Sequence, residues 1–164
     1  MFEKKTINAL KWIVGILDNK KIPFQISGGF VAKLYGSNRM INDIDIDVPE
    51  SEFKSIEEEV KPYIIFGPMH INDGKWDMEI MTLKYEDQEI DIGGAYDTKI
   101  SNNDRTKWIP FPVDYSKIRR LKIQDVEVNI VSPEELIKYK QHLDGKHQVE
   151  DIEAVRNYIK HTIL

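Results

Sequence analysis

Hydrophobic positions recur with the period of a helix at the start of the chain and with the period of a strand soon afterwards. Between residues 4 and 20 the apolar side chains are three or four residues apart, which predicts an amphipathic helix. A first strand is predicted at 24–26 and a short helix at 28–36. From 43 to 48 aspartate alternates with isoleucine or valine, and this period of two predicts a strand with one apolar face.

The rest of the chain shows further strand and helix patterns. The predicted elements are a helix capped by Ser51 and running to Val60, strands at 63–66, 77–85 and 89–92, a hairpin at 119–122 and 126–131, and helices at 133–145 and 150–163. Ser132, followed by a proline and two glutamates, is a clear signal for the start of the helix at 133. The sequence thus predicts one α/β domain over residues 1–164. Residues 93–118 are expected to form a long mobile or substrate-facing loop.

Composition agrees with a globular protein. Of the 164 residues, 41% are hydrophobic and 31% are charged, and the net charge of −5 argues against binding nucleic acid or membranes through bulk charge. The lack of cysteine in the sequence excludes disulfides, thiolate zinc sites and a cysteine nucleophile. No apolar run is long enough to span a bilayer, and the first helix differs from a signal peptide. We therefore expect a cytoplasmic protein that makes no membrane contact.

The candidate chemistry is concentrated in the strand at 43–48. Asp43, Asp45 and Asp47 share one face of that strand, and the isoleucines between them share the other. Neighbours on one face are roughly 6.6 Å apart, and at an effective dielectric near 20 each such carboxylate pair costs about 2.5 kcal/mol. A buried site tolerates this repulsion if it holds a cation, and Mg²⁺ prefers carboxylate oxygens. A solvated edge strand is the structural alternative, but the flanking isoleucines argue against it.

Two choices remain open among the acids. The metal-binding pair could be Asp45 and Asp47 instead of Asp43 and Asp45. We favour Asp43 and Asp45 because Asp47 lies near the end of the strand, where a solvated role costs little. A further acid from another strand could be Asp91 or Glu79, since each stands between two apolar residues of a predicted strand. We favour Asp91 by a small margin.

A glycine pair follows the first predicted strand and opens the short helix after it. Free N–H groups and the positive end of a helix dipole suit a phosphate, so Ser27, Gly28 and Gly29 are candidate phosphate ligands. Such a pair is more often only a tight turn. Arg39 precedes the acidic strand and could clamp a phosphate through two hydrogen bonds, although most loop arginines are simply solvated.

Three motifs in this order resemble the nucleotidyltransferase superfamily of the DNA polymerase beta type. They are Ile26-Ser27-Gly28-Gly29, Asp43-Ile44-Asp45-Ile46 and Ile90-Asp91-Ile92. The C-terminal run SPEELIKYKQHLDGKHQVEDIEAV is similar to the tail of the minimal, lincosamide-type members of that superfamily. The resemblance covers roughly residues 22–160, except for 93–118.

The resemblance implies a fold and an activity. The fold would be a mixed β-sheet flanked by helices, with two helices at the C-terminus. Members of the superfamily transfer a nucleoside monophosphate from an NTP to a hydroxyl group and release pyrophosphate, with two Mg²⁺ ions as the cofactor. By the resemblance, the catalytic and metal-binding residues would be Asp43, Asp45 and Asp91. The candidate nucleotide-binding residues are Ser27, Gly28, Gly29, Arg39 and Lys140.

The acceptor and the quaternary structure stay open at this point. The acceptor could be a small molecule such as an antibiotic, an RNA or a protein, so nucleic acid enters only as an acceptor. We hypothesise that a homodimer completes the acceptor site, because little of the chain lies outside the core. The alternative function is a non-catalytic nucleotide- or metal-binding module, or a toxin–antitoxin component, with the same fold. A phosphohydrolase would usually add histidines, and none of the four histidines is near the acids in sequence.

Overall fold

The computed structural model describes residues 2–162. Its α-helices are α1 (Lys4–Asn19), α2 (Gly28–Leu34), α3 (Phe53–Val60), α4 (Pro133–Lys140) and α5 (Lys146–Thr162). Its strands are β1 (Gln25–Ser27), β2 (Asp43–Val48), β3 (Ile64–Asn72), β4 (Trp76–Tyr85), β5 (Gln88–Gly94), β6 (Lys99–Ser101), β7 (Trp108–Pro110), β8 (Arg119–Ile123) and β9 (Val126–Ile130). Ile163, the last residue predicted for the final helix, lies outside the described residues. None of the described helices is both long enough and apolar enough to cross a membrane.

The strands of the described chain form one mixed sheet. Eight of them follow the order β7-β6-β4-β5-β2-β1-β9-β8, and β3 pairs with β4. β2 runs parallel to β5, and β1 runs parallel to β9. The other neighbouring strands are antiparallel. The predicted mixed sheet with helices around it and two helices at the C-terminus is confirmed.

The isoleucines of β2 and β5 form the centre of the core. Ile44, Ile46, Ile90 and Ile92 are buried and belong to one apolar cluster with the stripe of α1. Burial alternates along β2, so its aspartates lie on the opposite face of the sheet. The period of two in the sequence therefore separates an apolar face, covered by α1, from an acidic face.

The start of α3 differs from the prediction. Ser51 does not cap this helix but lies in a short 3₁₀ turn before it, and the helix begins at Phe53. The carboxylate of Glu50, in the same turn, accepts hydrogen bonds from the backbone N–H groups of Tyr96 and Asp97 at 3.0 and 2.9 Å. The chain before α3 is thus tied to the segment after β5, which local sequence patterns cannot reveal.

The two C-terminal helices meet at a turn, and their boundaries shift from the predicted ones. The predicted cap of α4 is correct, since the Ser132 hydroxyl oxygen accepts a hydrogen bond from the Glu135 N–H. This helix ends at Lys140, five residues before the predicted end at 145. α5 then begins at Lys146, four residues before the predicted start at 150. Both helices are present, and the turn between them lies at 141–145 instead of the predicted 146–149.

The expectation of one long loop at 93–118 is wrong in part. This segment contains β6 and β7, which pair as a hairpin with Ile100 opposite Ile109. The Asn102 side-chain oxygen accepts hydrogen bonds from the backbone N–H groups of Thr106 and Lys107, both at 2.9 Å, and so holds the turn of the hairpin. Each strand has only three residues, which is too short for a period of two to stand out.

Candidate active site

Three carboxylates meet on the acidic face of the sheet. β2 and β5 are parallel neighbours, and their register sets Asp45 directly beside Asp91. Asp43 is two residues before Asp45 on the same face of β2. One oxygen atom from each of Asp43, Asp45 and Asp91 can be chosen so that all three lie within 4.8 Å of one another. The structure thus brings together the three acids that the sequence analysis singled out.

Burial and mutual repulsion hold the protons of this cluster more tightly than usual. The pKa of Asp45 is raised well above its ordinary value, first by burial and then by the charges of Asp43, Asp91 and Asp47. Burial followed by the charge of Asp91 raises the pKa of Asp43. Burial also raises the pKa of Asp91, against the hydrogen bond that the Thr82 hydroxyl donates to it at 2.6 Å. The cluster therefore lacks the compensation that three carboxylates need at neutral pH.

A divalent cation fits this donor set. Among residues 2–162, no lysine, arginine or histidine nitrogen lies within 4.0 Å of the carboxylate oxygens of Asp43, Asp45 or Asp91. Carboxylate oxygens at this spacing are hard ligands of the kind that Mg²⁺ and Mn²⁺ take. A bound cation would supply the missing positive charge and lower the pKa of all three acids. These three residues are the ones that could hold it.

Gly28 allows the start of α2 to lie directly against Asp45. Its φ of +67° is in the left-handed region that favours glycine, and a Cβ atom at this position would overlap Oδ2 of Asp45. At Gly29 a Cβ would meet no atom within 4 Å. The two glycines of the motif therefore differ: the first is required by the close approach to Asp45, and the second leaves open space beside the helix start.

Replacing Gly28 by alanine is expected to disturb the acid cluster. Both the left-handed backbone and the overlap with Asp45 must be relieved, at a cost of about 1–3 kcal/mol of folding free energy. Urea unfolding measures this loss, and we also expect the affinity for Mn²⁺, followed by paramagnetic relaxation of water, to fall at least tenfold. Gly29→Ala is the matched control for stability. If the two alanine variants unfold at the same urea concentration, the steric argument fails.

Arg39 and Lys140 lie in an ion-pair network around Asp151. Asp151 of α5 is fully buried, accepts hydrogen bonds from the Ser37 hydroxyl and the Arg39 guanidinium, and forms an ion pair with the Lys140 ammonium. The distance from Lys140 Nζ to Asp151 Oδ2 is 2.9 Å, and Lys140 also donates to Gln148 at 3.0 Å. The positive charge of Lys140 still acts on the acid cluster, since it opposes the rise in the pKa of Asp43 and Asp45. Nucleotide binding by either basic residue stays a prediction.

The sequence analysis missed Asp151. A signal for it was present, because Asp151 stands four residues before Val155, the most buried apolar residue of α5, and so shares its inward face. A charged residue on the apolar stripe of a helix is rarely buried without a partner. Its partners come from the segment after α2 and from α4, more than ten residues away along the chain.

Asp47 lies in a different setting from the one expected. It faces a cavity beside the acid cluster instead of bulk solvent, and its Oδ2 accepts a hydrogen bond from Gln25 Nε2 at 2.9 Å. Burial raises the pKa of Asp47 to about 6, against the effect of the Gln25 hydrogen bond. The assumption that the end of β2 is solvated was wrong, because β1 and its Gln25 flank β2 at this position.

Glu79 is separated from the acid cluster by the sheet itself. β4 places Thr82 beside Asp91, and Glu79 is three residues away from Thr82, so its side chain points to the opposite face. There it contacts His70 of β3, with 3.2 Å between Glu79 Oε1 and His70 Nδ1. The geometry therefore brings Asp91, and not Glu79, to Asp43 and Asp45.

In buffer without divalent cations, stability is expected to decrease as the pH rises from about 4 to about 6. Asp47 has a pKa of about 6 in the folded protein and about 3.9 when unfolded, so the folded state binds the proton more tightly between these values. The stability present below pH 4 is then lost as the pH rises through 6, by an amount of about 3 kcal/mol. Urea unfolding of wild type and Asp47→Asn measures it. Parallel pH profiles of the two proteins would contradict this assignment.

The chain is similar in structure to several solved structures that are described as nucleotidyltransferases. A proposed nucleotidyltransferase from Thermotoga maritima has a TM-score of 0.74 and 22% identity, over 98% of this chain and 96% of its own. The lincosamide antibiotic adenylyltransferase LnuA, solved with lincomycin bound, has a TM-score of 0.60 and 17% identity, over 96% and 98% of the two chains. ANT(2")-Ia, solved with adenylyl-2"-tobramycin, has a TM-score of 0.63 and 15% identity, over 94% and 89%.

These comparisons concern the fold. No protein-family model matches the chain, and no curated protein matches it in sequence. At identities of 15% to 22%, structural similarity over nearly the whole chain shows that the chain has the nucleotidyltransferase fold. The fold implied by the three sequence motifs is thereby confirmed.

Proposed function

We propose that this chain is a metal-dependent nucleotidyltransferase, which moves a nucleoside monophosphate from an NTP to a hydroxyl group of an acceptor. The observation that carries the proposal is the uncompensated cluster of Asp43, Asp45 and Asp91 beside the close approach of Gly28. Function resides in the site and not in the fold. The repulsion among these three carboxylates lowers the stability of the fold, and a bound cation would offset it.

Each residue of the site has a role in this proposal. Asp43, Asp45 and Asp91 would hold the divalent cations, with Mg²⁺ as the expected metal and two ions as the expected number. Bound Mg²⁺ would neutralise the charge of the phosphates and stabilise the charge that develops during transfer. Ser27, Gly28 and Gly29 would bind the β- and γ-phosphates through the start of α2. Arg39 and Lys140, both held by Asp151, would add positive charge on the nucleotide side.

The proposed reaction is an in-line displacement at the α-phosphorus. The acceptor hydroxyl oxygen forms a bond to the α-phosphorus while the bond from that phosphorus to the bridging oxygen of the β-phosphate breaks. Pyrophosphate leaves with this oxygen, and the proton of the hydroxyl passes to the carboxylate of Asp91. Thr82 donates to Oδ1 of Asp91 at 2.6 Å and so fixes the orientation of this carboxylate. A carboxylate within hydrogen-bond reach of the acceptor hydroxyl can take its proton during transfer.

The remaining parts of the proposal concern the whole chain. Residues 1–164 would form a single catalytic domain in the cytoplasm, and a homodimer would complete the acceptor site. Light scattering in the presence of NTP and Mg²⁺ measures the oligomeric state. A non-catalytic module with the same fold would bind nucleotide or metal and leave the NTP intact, so binding and turnover have to be measured separately.

Calorimetric titration of each NTP with and without Mg²⁺ tests the proposal. We expect Mg²⁺-dependent binding of at least one NTP to the wild type and loss of this binding in Asp43→Asn/Asp45→Asn. The matched control is Asp18→Asn/Asp87→Asn, which removes two exposed carboxylates far from the cluster and should bind as the wild type does. If no NTP binds to the wild type, or if the double variant binds normally, the proposal is wrong.

A further inference from the structure

A cavity of about 300 Å³ opens beside the acid cluster. Its walls are mostly apolar and come from β3, β4, β6, α4 and the segment after β7, and the side chains that matter here are Ile71, Trp76, Met78, Ile100, Phe111 and Tyr139. The rings of Trp76 and Tyr139 are tilted by 49° to each other, with their centroids 6.0 Å apart. A pocket of this size, lined by aliphatic and aromatic groups with a few polar ones, suits a small organic molecule.

The cavity reaches from the acids to the edge of the proposed phosphate site. Asp45, Asp91 and Ser27 contribute to its lining, whereas Gly28, Gly29 and Lys140 are not among the described residues that line it. An in-line displacement requires the attacking hydroxyl and the leaving pyrophosphate on opposite sides of the α-phosphorus. With the pyrophosphate at Ser27 and the start of α2, the acceptor hydroxyl must therefore come from the part of the cavity beyond Asp91.

One polar group in the cavity has unused hydrogen-bonding capacity. Asp47 lines the cavity, and its Oδ2 accepts a hydrogen bond from Gln25. Its Oδ1 has no hydrogen-bond partner among residues 2–162. In the described part of the chain, the Ser101 hydroxyl is the one side-chain polar atom that is both buried and without a hydrogen-bond partner. Oδ1 of Asp47 also lacks a partner, so it is not fully buried and retains accessible surface. An accessible carboxylate oxygen on an apolar wall selects a ligand with an N–H donor, and above all a cationic one.

The same charges disfavour RNA, one of the acceptors that the sequence left open. A phosphodiester chain entering the cavity would carry negative charge to Asp45, Asp47 and Asp91, and among the described residues that line the cavity Lys117 is the one basic partner. Lys117 already pairs with Glu135, with 3.2 Å between Nζ and Oε1. The charge and polarity of the cavity thus argue against RNA as the acceptor.

From this geometry we propose that the cavity is the acceptor site and that it takes a small molecule with an apolar, ring-containing body, a hydroxyl group and one N–H donor. The ring lies between Trp76 and the aliphatic wall, the hydroxyl faces Asp91, and the N–H donor meets Oδ1 of Asp47. This assignment rests on the proposed function, because it takes Asp91 as the group that receives the hydroxyl proton. Asp47 is then the residue that determines acceptor specificity.

Three probes separate the parts of this proposal. 2-Amino-1-phenylethanol carries the ring, the hydroxyl and a cationic amine; 1-phenylethanol lacks only the amine; and D-glucose offers hydroxyls without an apolar body. Dissociation constants are measured by ligand-observed NMR on the full chain with Mg²⁺ and α,β-methylene ATP, which cannot transfer its nucleotide. We expect the amine to bind most tightly, 1-phenylethanol at least tenfold more weakly, and glucose not to bind at millimolar concentration.

Two variants assign the binding to the cavity. Asp47→Asn should weaken 2-amino-1-phenylethanol at least tenfold and leave 1-phenylethanol within twofold. Gly93→Val should remove both, because its side chain enters the cavity, displaces the flexible end of Met78 and lies against Oδ1 of Asp47. Trp76→Ala serves if Gly93→Val fails to fold, and should weaken both aromatic probes about equally.

The proposal is overturned if glucose binds as tightly as the aromatic probes, if Gly93→Val or Trp76→Ala leaves their affinity unchanged, or if Asp47→Asn weakens both aromatic probes equally. Binding of Mg²⁺ and of each NTP is measured on the same protein. If an NTP binds and the probes do not, the acceptor assignment fails while the nucleotidyltransferase proposal stands. If the probes bind as expected and no NTP binds, the proposed function fails and the ligand class of the cavity is retained.

Discussion

Asp45→Asn is expected to reduce nucleotidyl transfer at least about a thousandfold and, without metal, to make the protein more stable. The loss of activity follows from removing a carboxylate that would hold the cation, since metal ions contribute several kcal/mol of transition-state stabilisation and each 1.4 kcal/mol is about tenfold in rate. The gain in stability follows from the raised pKa of Asp45. A carboxyl group whose folded pKa lies above its unfolded pKa destabilises the folded protein once the pH has risen past both values.

The two effects have opposite signs, and this separates loss of chemistry from loss of folding. Pyrophosphate release from NTP in the presence of acceptor measures activity, and urea unfolding at pH 7.5 with EDTA measures stability. With Mg²⁺ the order should reverse, because binding to the folded state stabilises the wild type more than the variant. Asp87→Asn, in an exposed turn, should change neither quantity. A less stable Asp45→Asn in EDTA would show that this carboxylate supports the fold instead of straining it.

The acid cluster could be predicted because its signal is local. Alternation of Asp43, Asp45 and their isoleucines determines which residues share a face, and a parallel neighbour strand then brings Asp91 alongside. The choice of Asp91 over Glu79 rested on a small preference, and it was the register of β4 against β5 that separated them. Register is set by pairing between strands, and a single strand sequence does not contain it.

The environment of the acids could not be predicted, because their partners lie far away in sequence. Asp47 was assigned to solvent at the end of a strand, whereas Gln25 of β1 and the walls of the cavity enclose it. Arg39 was predicted as a possible phosphate ligand, and its contact with Asp151, across 112 positions of the chain, has no signal in the local sequence. The segment 93–118 was read as a loop, and its β6–β7 hairpin brings Ile100 to the cavity while Phe111 follows directly after β7.

The network around Asp151 differs from the acid cluster because its charges are of opposite sign and paired. The cluster holds like charges that lack a hydrogen-bonded cation in the described chain, whereas Asp151 has two cationic partners and a hydroxyl donor. Removing one member of a buried network of paired charges costs much folding free energy, because the remaining charges stay buried without a partner. We expect the acid cluster to lower the free energy of unfolding and the Asp151 network to be required for it.

Asp151→Asn is therefore expected to destabilise the protein by about 3–5 kcal/mol. Asparagine keeps the size of the side chain but leaves the ammonium of Lys140, which is 3% exposed, and the guanidinium of Arg39 without a counter-charge. Urea unfolding at pH 7 measures the loss. Ser37→Ala, which removes one neutral donor to the same carboxylate, should cost only about 1 kcal/mol.

The double variant Asp151→Asn/Lys140→Met decides whether buried charge is the cause. Methionine keeps most of the apolar length of lysine and removes the uncompensated ammonium, so this second substitution should restore most of the lost stability. Arg39 is the more exposed partner, with 24% of its side chain accessible, and its guanidinium can reach water by a small movement. If the second substitution deepens the loss, the packing of Lys140 and its hydrogen bond to Gln148 outweigh its unbalanced charge, and buried charge is not the cause.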